Sequence, residues 1–445
     1  MVRQTLAMTR SGAQGLNGAS MSRKPLDHII IVGAGAAGLM AARELARAGL
    51  RVTILEARAR CGGRIQPLAA SRFGYSADGG AEFVHGEAPV TRALVAEARL
   101  SLEAIEGTQW SSDHGRLSRE ARHDPHEAEF HEMLKELKDD LTVADFLRRY
   151  FAGTQYESLR RSIERMVEGY DAADPERAST LALRDEWMDG GRHTQARIVG
   201  GYGALIGFLE AECRAHGVAI SLGSVVSGIE ETDGRVAVGC GNGDVYHGDA
   251  LVLTVPLPLL QEIALPLAAR EKAAAAAHIG FGNVIKILLR FETRWWLDRQ
   301  TDLADLTFLL SDEKIPVWWT QRPAEHPVLT GWFGGPKTAG LVGLTEPELI
   351  QAGLASLAGI FGLPSNDVAQ RIVAAWSINW ADDPFARGAY SYATPQTRDA
   401  QSILASADGA AVQFSGEALY RGRDMGTVEA ALASGLETAR TILRE

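Results

Sequence analysis

The sequence predicts an α/β protein, and three observations near its N-terminus carry that prediction. Residues 28–56 read HIIIVGAGAAGLMAARELARAGLRVTILE, and the apolar run Ile29–Val32 predicts a buried parallel strand. Three glycines follow at the spacing G-x-G-x-x-G, and a helix-forming stretch, Ala36–Ala48, comes directly after the first two. A second strand, Arg51–Leu55, ends on the acid Glu56. Strand, glycine turn, helix, second strand and terminal acid in this order are typical of a dinucleotide-binding sheet.

Each element of this stretch has a separate physical task. Gly33 makes the tight turn, Gly35 lets the backbone approach a pyrophosphate, and Gly38 lets helix and strand pack closely. The helix N-terminus that follows binds the phosphates. Glu56 accepts a hydrogen bond from a ribose hydroxyl, and an acid at this position disfavours NADP. NAD and FAD both remain open, because the two share the same adenosine diphosphate.

Composition limits the classes of function. At 445 residues the chain has room for two domains, and 46% hydrophobic with 23% charged residues is ordinary for a soluble globular protein. A net charge of −11 disfavours binding to nucleic acid or to an anionic membrane surface. Cys61, Cys213 and Cys240 show neither disulfide-framework nor metal-ligand spacing, so we predict no metal and a reducing compartment. No apolar run has the length of a membrane helix.

The first residues have the composition of a flexible segment. Residues 1–24 lack the apolar core of a signal peptide, so we expect a disordered leader, with Met21 as an alternative start. The sequence therefore predicts a cytoplasmic protein.

From Glu56 onward the chain resembles the flavin-containing amine oxidases, which include monoamine oxidases, polyamine oxidases and the flavin histone demethylases. The resemblance rests on EARARCGGRI at 56–65, ADGGAEFVHG at 77–86, VGGYGAL at 199–205, GSVVSGIE at 223–230, ALVLTVPLPLL at 250–260, WADDPFARGAYSY at 380–392 and FSGEALYRGRDMGTVEAALASG at 414–435. These segments stand in family order and span roughly residues 26–440. The resemblance implies FAD as the cofactor. Ala389 occupies the position where monoamine oxidases have the cysteine that bonds to flavin, so non-covalent binding is expected.

The same resemblance assigns residues to the cofactor. Val226 would present its backbone to the adenine, and Gly416 with Glu417 would lie along the ribityl chain and pyrophosphate. Thr427 and Val428 would begin a helix aimed at the flavin ring, where a helix N-terminus stabilises negative charge. The full predicted cofactor set is Gly33, Gly35, Ala36, Ala37, Gly38, Glu56, Ala57, Arg58, Gly63, Arg64, Gly80, Ala81, Glu82, Phe83, Val226, Trp380, Gly416, Glu417, Gly426, Thr427 and Val428.

The order of the motifs implies an interleaved chain. We predict a Rossmann-type FAD-binding domain, assembled from residues 25–90, 195–265 and 370–445, and an α+β substrate-binding domain from 91–194 and 266–369. The alanine run Ala273–Ala277 is interpreted as helix from the propensity of alanine.

Lys286 stands in the middle of a predicted strand. Residues 281–291 read FGNVIKILLRF, and alternation places Lys286 on one face with Val284 and Leu288, opposite Ile285. From this window alone the lysine either extends its ammonium into water or is held near a reaction centre. The match of Gly280–Lys286 to the family pattern G-F-G-N-x-x-K implies the second reading, a lysine that points at the flavin and holds a water near its N5 atom.

Five further residues are candidates for the substrate pocket. The resemblance places Trp380 and Tyr390 at the flavin face, with Tyr390 as a wall of an aromatic cage; two core aromatics on a strand pair are the alternative. Residues 424–427 contain no aromatic where monoamine oxidases have a second tyrosine, so we expect a more open pocket. Asp424 either meets a cationic substrate or is a solvated loop residue. His85 and Glu168 match polar positions of the polyamine-oxidase tunnel; otherwise His85 is a structural hydrogen bonder and Glu168 caps a helix end.

The resulting hypothesis is an FAD-dependent amine oxidase. Lys286, Tyr390, Glu168 and His85 form its predicted catalytic set. A neutral di- or polyamine, or another extended amine, would be oxidised to an imine, which water hydrolyses to an aldehyde, and O2 would reoxidise the flavin with release of H2O2. The partners expected are therefore a small amine and O2, without nucleic acid or membrane, and a homodimer is left open.

Two rivals are kept. One is an L-amino-acid oxidase or a related flavin desaturase; an amino-acid oxidase needs an arginine for the substrate carboxylate, and Arg184, Arg192 and Arg387 are the candidates. The other is a flavin-loaded binding or scaffold protein.

Overall fold

The computed structural model describes residues 26–119, 124–187, 194–298, 301–406 and 411–444. The predicted leader, residues 1–24, lies outside this part of the chain, and so does Arg192. The strands, in chain order, are β1 His28–Val32, β2 Arg51–Glu56, β3 Pro67–Leu68, β4 Ala77–Asp78, β5 Val84–His85, β6 Leu102–Ala104, β7 Thr108–Asp113, β8 Arg116–Ser118, β9 Gln195–Ile198, β10 Ala219–Leu222, β11 Val226–Thr232, β12 Arg235–Cys240, β13 Val245–Gly248, β14 Ala250–Leu253, β15 Gly280–Gly282, β16 Val284–Phe291, β17 Leu306–Leu310, β18 Val317–Trp319, β19 Val328–Gly334, β20 Ile372–Asn379, β21 Tyr390–Tyr392 and β22 Val412–Phe414. The α-helices are α1 Ala36–Arg47, α2 Ala70–Phe73, α3 Pro89–Glu97, α4 Glu127–Glu136, α5 Val143–Tyr150, α6 Glu157–Gly169, α7 Thr180–Trp187, α8 Tyr202–Ala215, α9 Leu267–Ala273, α10 Glu346–Phe361, α11 Ser365–Ala369, α12 Thr397–Leu404 and α13 Val428–Arg444.

A five-stranded parallel sheet organises one half of the molecule. Its strand order is β10-β2-β1-β14-β22, and every neighbouring pair runs parallel. Both faces are covered, which explains why β1 and β14 are almost wholly apolar and buried. On one face Leu39 of α1, Leu209 of α8 and Leu432 of α13 pack into one core. The predicted Rossmann-type α/β fold is confirmed.

A seven-stranded sheet, in the order β20-β16-β19-β18-β17-β7-β8, organises the other half. Its pairs are antiparallel except β17 with β7. One face packs on α10 through Ile287, Trp318 and Leu357. A separate helical core, formed by α4 to α7, is built around Phe130, Phe146 and Phe151. The two layers together form the α+β half that the sequence predicted.

Strand β20 changes the predicted domain boundary. Residues 370–379 were assigned to the FAD-binding domain, but β20 pairs with β16, with Ile378 opposite Lys286. The chain therefore returns to the parallel sheet only after Asn379. In the opposite sense, α3 packs on the nucleotide-binding core through Leu94 and Val95, so that half extends beyond residue 90. Periodicity identifies a strand or an apolar helix face but does not say which sheet it joins.

The predicted helix over the alanine run is only partly α-helical. Helix α9 ends at Ala273, and residues Ala274–His278 continue it as a 3-10 helix. Within the described ranges, no helix is long and apolar enough to cross a bilayer.

Candidate cofactor and amine site

A cavity of about 2790 Å³ extends from the glycine turn after β1 to β16 of the seven-stranded sheet. Pockets for one small molecule usually measure roughly 300–1,000 Å³. This cavity therefore has room for a dinucleotide and for a substrate beside it. Its lining comes from both halves of the molecule, with Gly35 and Glu56 at one end and Lys286 and Tyr390 at the other.

The glycine turn is shaped for a phosphate group. Gly33 has φ +104°, and a Cβ there would lie 2.6 Å from Thr254 Oγ1. A Cβ on Gly38 would lie 2.0 Å from the Gly33 carbonyl oxygen, so this glycine permits helix packing and lies behind the cavity wall. At Gly35, by contrast, a Cβ would meet nothing within 4 Å, and this backbone borders the cavity at the start of α1. The open cradle at a helix N-terminus fits a pyrophosphate.

Glu56 is held ready for a ribose. The residue is 5% exposed; its Oε2 accepts from the Ala34 N–H at 2.7 Å and its Oε1 from the Arg58 N–H at 2.8 Å. Each carboxylate oxygen keeps acceptor capacity toward the cavity. Arg58 is itself fixed, because its guanidinium pairs with Asp383 at 2.9 and 2.5 Å. The fixed Glu56 carboxylate, with acceptor capacity toward the cavity, therefore fits the ribose in the adenosine half of FAD.

The wall at the opposite end of the cofactor region is built around Glu417. Its Oε1 accepts from Arg64 at 2.8 Å, and its Oε2 accepts from the Ser391 hydroxyl. Arg64 also donates to the Ala389 carbonyl oxygen at 2.7 Å. Gly416 has φ +147°, and a Cβ there would meet nothing within 4 Å, so its backbone faces open space as Gly35 does.

The start of α13 faces the same cavity. Thr427 Oγ1 accepts from the Ala430 N–H at 3.2 Å and thereby caps the helix, and Val428 begins it. A helix N-terminus here stabilises negative charge on a bound group. Apart from Gly38, every residue of the predicted cofactor set lines the cavity. The residues present therefore fit FAD along its full length.

Lys286 lies in the wall of the cavity and is 0% exposed, so it does not extend into water. The predicted alternation is confirmed: Ile285 packs in the core under α10, whereas Val284 packs on the other face. The Lys286 ammonium donates to the Asp78 carbonyl oxygen at 2.7 Å, the Gly80 carbonyl oxygen at 2.9 Å and Glu82 Oε2 at 2.7 Å. A lysine has three N–H bonds, and all three are donated to protein. A water on this amine, as the resemblance implies, would have to replace one of these acceptors.

Glu82 is the centre of a buried ion network. Besides Lys286, it accepts from Arg197, from Trp319 Nε1 at 3.2 Å and from Gln321 Nε2 at 3.3 Å. Burial by itself would raise the pKa of Glu82, but the charges of Arg197 and Lys286 outweigh it and lower the pKa to about 2. Glu82 lines the cavity as predicted, yet its carboxylate is committed to these four side chains and not to the cofactor.

The aromatic cage differs from the expected one. The Tyr390 hydroxyl donates to the Tyr170 carbonyl oxygen at 2.7 Å, and its ring stacks beside Trp332, with centroids 6.4 Å apart and planes at 21°. Trp332 stands on β19 and is fixed by donating to the Gly169 carbonyl oxygen at 2.7 Å. The cavity thus has a second aromatic wall, supplied by the seven-stranded sheet and not by the final helix. Trp380 also borders the cavity, in agreement with its predicted position.

Glu168 does not line the cavity, contrary to the prediction from the sequence. Its Oε2 accepts from Lys337 at 2.5 Å, and its side chain is not part of the cavity wall. Its Cα and Cβ lie close to Gly335 near the end of α6, where a Cβ on that glycine would come within 3.0 Å of both atoms. The wall instead carries Asp171, three residues further on, and Glu186 of α7.

These two acids form a hydrogen-bonded pair. Burial, and next the charge of Glu186, raise the pKa of Asp171 well above its ordinary range. Burial also raises the pKa of Glu186 to about 7. Two carboxyl groups in contact share a proton near neutral pH, because a second negative charge is costly there.

His85 and Asp424 both border the cavity. His85 Nδ1 lies 3.4 Å from the Tyr170 hydroxyl, so the histidine joins the group around Tyr390. Burial, and then Glu429, raise the pKa of Asp424.

The arginines proposed for a substrate carboxylate lie elsewhere. Arg184 donates to the Leu137 carbonyl oxygen at 3.1 Å, Arg387 pairs with Glu262 at 3.2 Å, and neither borders the cavity. In the part of the chain that the model describes, no group of three or more His, Cys, Asp or Glu side chains could hold a metal ion.

The sequence analysis missed five wall residues, Tyr170, Asp171, Glu186, Trp319 and Trp332, and it also missed Arg197, which pairs with Glu82 behind the wall. Asp171 had a signal, since it lies in the same segment, MVEGYDAADP, from which Glu168 was chosen. Trp319 and Trp332 look like ordinary core aromatics in sequence, so pairing of the strands is needed to place them.

A parallel nucleotide-binding sheet, with a cavity whose residues fit FAD and that continues into an aromatic pocket, is the arrangement of a flavin-dependent oxidoreductase. Residues 36–443 match the family model described as flavin containing amine oxidoreductase. The chain belongs to this family, and its cofactor is FAD. The predicted family, enzyme class and cofactor are confirmed.

Similar proteins point to two branches. Human lysine-specific histone demethylase 2 is 28% identical over 98% of this chain, and lysine-specific histone demethylase 1 homolog 3 of Arabidopsis thaliana is 26% identical over 93%. The chain spans only 56% and 30% of those two proteins. Among solved structures, putrescine oxidase bound to putrescine has a TM-score of 0.76 at 19% identity, covering 95% of this chain and 100% of that one. Cyclohexylamine oxidase from Brevibacterium oxydans has a TM-score of 0.76 at 21% identity, with 94% and 99% covered. These likenesses show a shared fold.

Proposed function

We propose that the protein oxidises an extended amine carrying a second positive charge, a di- or polyamine, to an imine that water hydrolyses to an aldehyde. The observation that carries the proposal is the Asp171–Glu186 pair on the wall beside Tyr390. The negative charge of this half-buried acid pair attracts an ammonium group, while the aromatic rings of Tyr390 and Trp332 receive the amine to be oxidised. An amine with two nitrogens satisfies both sets of groups at once.

The division of labour follows from the chemistry. Bound FAD supplies the acceptor for the hydride equivalent taken from the carbon next to the amine nitrogen. The protein orients the amine between Tyr390 and Trp332 and keeps water from the reacting carbon. Substrate must react as the neutral amine, since an ammonium nitrogen has no lone pair to assist loss of hydride. Oxidation of the reduced cofactor by O2, giving H2O2, completes the proposed cycle. The cytoplasmic location and the homodimer stay predictions from the sequence.

A second candidate is oxidation of a methylated lysine side chain in a peptide. The cavity lining also includes Gln109 and Ser111 of β7 and Ser158 and Ser162 of α6, and its volume of about 2790 Å³ leaves room for a longer chain. The resemblance to histone demethylases supports this candidate as well. Of the three arginines that the L-amino-acid alternative offers, Arg184 and Arg387 do not line the cavity, and Arg192 lies outside the described residues.

The test is an anaerobic titration of the flavin spectrum. Putrescine, spermidine, a phenylalkylamine, a monomethyl-lysine peptide and an L-amino acid are added separately to the purified holoenzyme. We expect bleaching by the two polyamines at the lowest concentrations, and reduction that becomes faster as pH rises and more of the substrate is neutral. Bleaching by the peptide alone would favour the second candidate. Bleaching by dithionite but by none of the amines would favour the flavin-loaded scaffold or the desaturase.

A matched pair of variants tests the role of the acids. The double variant Asp171→Asn, Glu186→Gln removes the shared negative charge from the wall, whereas Glu168→Gln removes a carboxylate that pairs with Lys337 outside it. We expect the first variant to raise the KM for putrescine at least tenfold, since about 1.4 kcal/mol corresponds to a factor of ten, with little effect on a monoamine. The second variant should behave as wild type. Equal effects on diamine and monoamine would contradict the assignment of the acid pair to a second ammonium.

A further inference from the structure

The Lys286–Glu82–Arg197 network joins the two halves of the molecule. Glu82 stands in the turn after β4 and Arg197 on β9, both close to the cofactor region. Lys286 comes from β16 and Trp319 from β18, both strands of the seven-stranded sheet. Their side chains are buried: the exposed fraction is 1% for Lys286, 5% for Glu82 and 13% for Arg197.

Each member of the network makes several hydrogen bonds to other protein groups. Lys286 uses its three N–H bonds on Asp78, Gly80 and Glu82, as described above. Arg197 donates to Glu82 and to the carbonyl oxygens of Thr320, at 3.0 Å, and Arg322, at 3.1 Å. The carboxylate between them is also oriented by the Trp319 indole N–H at 3.2 Å.

This geometry limits what Lys286 can do. The ammonium cannot donate to a group in the cavity unless it gives up one of its three acceptors. Two of those are backbone carbonyls that cannot leave, whereas the Glu82 contact is a side-chain pair. Glu82 also compensates part of the positive charge of Lys286 and Arg197, so that the network of one carboxylate and two cations has a net charge of +1.

We propose that Glu82 is a positioning residue for Lys286: it holds the ammonium in the wall of the cavity and restrains its positive charge and its N–H bonds from acting on the bound flavin. The inference rests on FAD binding and not on the identity of the amine. It predicts that loss of the Glu82 charge releases Lys286 toward the cavity. A released cation stabilises the negative charge of reduced flavin, so the flavin midpoint potential rises.

The experiment compares four holoenzymes: wild type, Glu82→Gln, Lys286→Met and the double variant. Their FAD is reduced with dithionite in the presence of reference dyes, which needs no amine substrate. We expect Glu82→Gln to raise the midpoint potential by about 30 mV or more, which is a tenfold change in the two-electron equilibrium. Lys286→Met should lower the potential. In the Lys286→Met background, the Glu82→Gln change should shift the potential by less than a third of its effect in wild type.

If Glu82 instead acted on the flavin directly through its charge, Glu82→Gln would shift the midpoint potential by the same amount with and without Lys286. An equal shift in both backgrounds, or no shift in either, would overturn the proposal. The rate at which O2 reoxidises the reduced flavin gives a second readout and should show the same dependence on Lys286. The control is Glu97→Gln, which removes a partner of Arg43 and Arg47 outside the cavity lining and should leave the potential unchanged.

A milder variant covers the case in which Glu82→Gln does not fold. Trp319→Phe removes one N–H donor to Glu82 and keeps all charges. It should raise the potential in the same direction by a smaller amount, and only when Lys286 is present. A shift that persists after Lys286→Met would again overturn the proposal. If no amine reduces any of these proteins, the proposed substrate fails while the potentials still decide the role of Glu82.

Discussion

Asp78 offers a sharp test of how burial sets the charge state behind the cavity. Its Oδ1 is buried without a hydrogen-bond partner, while the Tyr202 N–H donates to the carboxyl group. Burial, and next the charge of Glu82, raise the pKa from the ordinary value of 3.8 to about 7. A difference of this size corresponds to at most about 4 kcal/mol. That free energy is the cost of ionising Asp78 in the folded protein.

The direction in which stability changes with pH follows from the number of protons bound by the native and unfolded states. Between pH 3.8 and about 7 the native state holds this proton while the unfolded state has lost it, so stability falls as pH rises and then stays constant. Asp78→Asn keeps an oxygen for the Tyr202 N–H and removes the charge. We therefore expect the variant to have nearly the wild-type Tm at pH 4.5 and to exceed it by about 4 °C at pH 8, from the usual unfolding entropy of a chain this long.

The assay is differential scanning calorimetry of both proteins at half-unit steps from pH 4.5 to 8, at one scan rate and one FAD concentration. Asp113→Asn, which changes an exposed carboxylate on β7, serves as the control and should show no growing difference. A Tm difference between Asp78→Asn and wild type that is constant across this range would refute the reasoning, because a charge-independent packing change gives a constant offset.

Two further predictions concern the substrate and cofactor ends of the cavity. Tyr390→Phe loses the hydrogen bond to the Tyr170 carbonyl oxygen, worth about 1 kcal/mol, and should lower kcat/KM for the amine more than it lowers the ratio of flavin to protein absorbance; loss of FAD instead would make Tyr390 structural. Gly38→Ala would bring a Cβ to 2.0 Å from the Gly33 carbonyl oxygen, which only a backbone shift relieves, so the purified protein should contain little FAD. Full FAD occupancy in this variant, measured by absorbance, would show that the turn tolerates the shift.

The sequence was informative where one residue type has one geometric use. The turn at Gly33 and the acid Glu56 were placed correctly because a close backbone approach and a ribose acceptor leave few alternatives. The buried position of Lys286 agreed with strand alternation together with the family pattern. These inferences depend on local geometry, which a short window of sequence contains.

The sequence was uninformative where the answer depends on pairing between distant segments. Glu168 and Asp171 are both acids near the end of α6, and contacts with distant segments, such as the Glu168–Lys337 pair, distinguish the one that lines the cavity from the one that does not. Glu82 looked like a cofactor contact, because nothing in its neighbourhood shows that Lys286, 204 positions away, would take its carboxylate. The place of β20 was also predicted wrongly, because its pairing with β16 joins segments that are far apart in the sequence.

The network around Glu82 also has a mechanical consequence. The Glu82 carboxylate, in the turn after β4, binds Lys286 and Trp319 of the seven-stranded sheet. Moving that sheet away from the turn would leave Lys286 as a buried cation without its carboxylate, a cost of about 3–5 kcal/mol. A hinge motion that separates the two halves of the molecule is therefore an unfavourable way to admit substrate. None of the side chains of this network comes from the helices α4 to α7, and α6 of that layer lines the cavity through Ser158 and Ser162. We therefore expect substrate entry and product release to depend on movement of these helices, while the two sheets keep their relative positions.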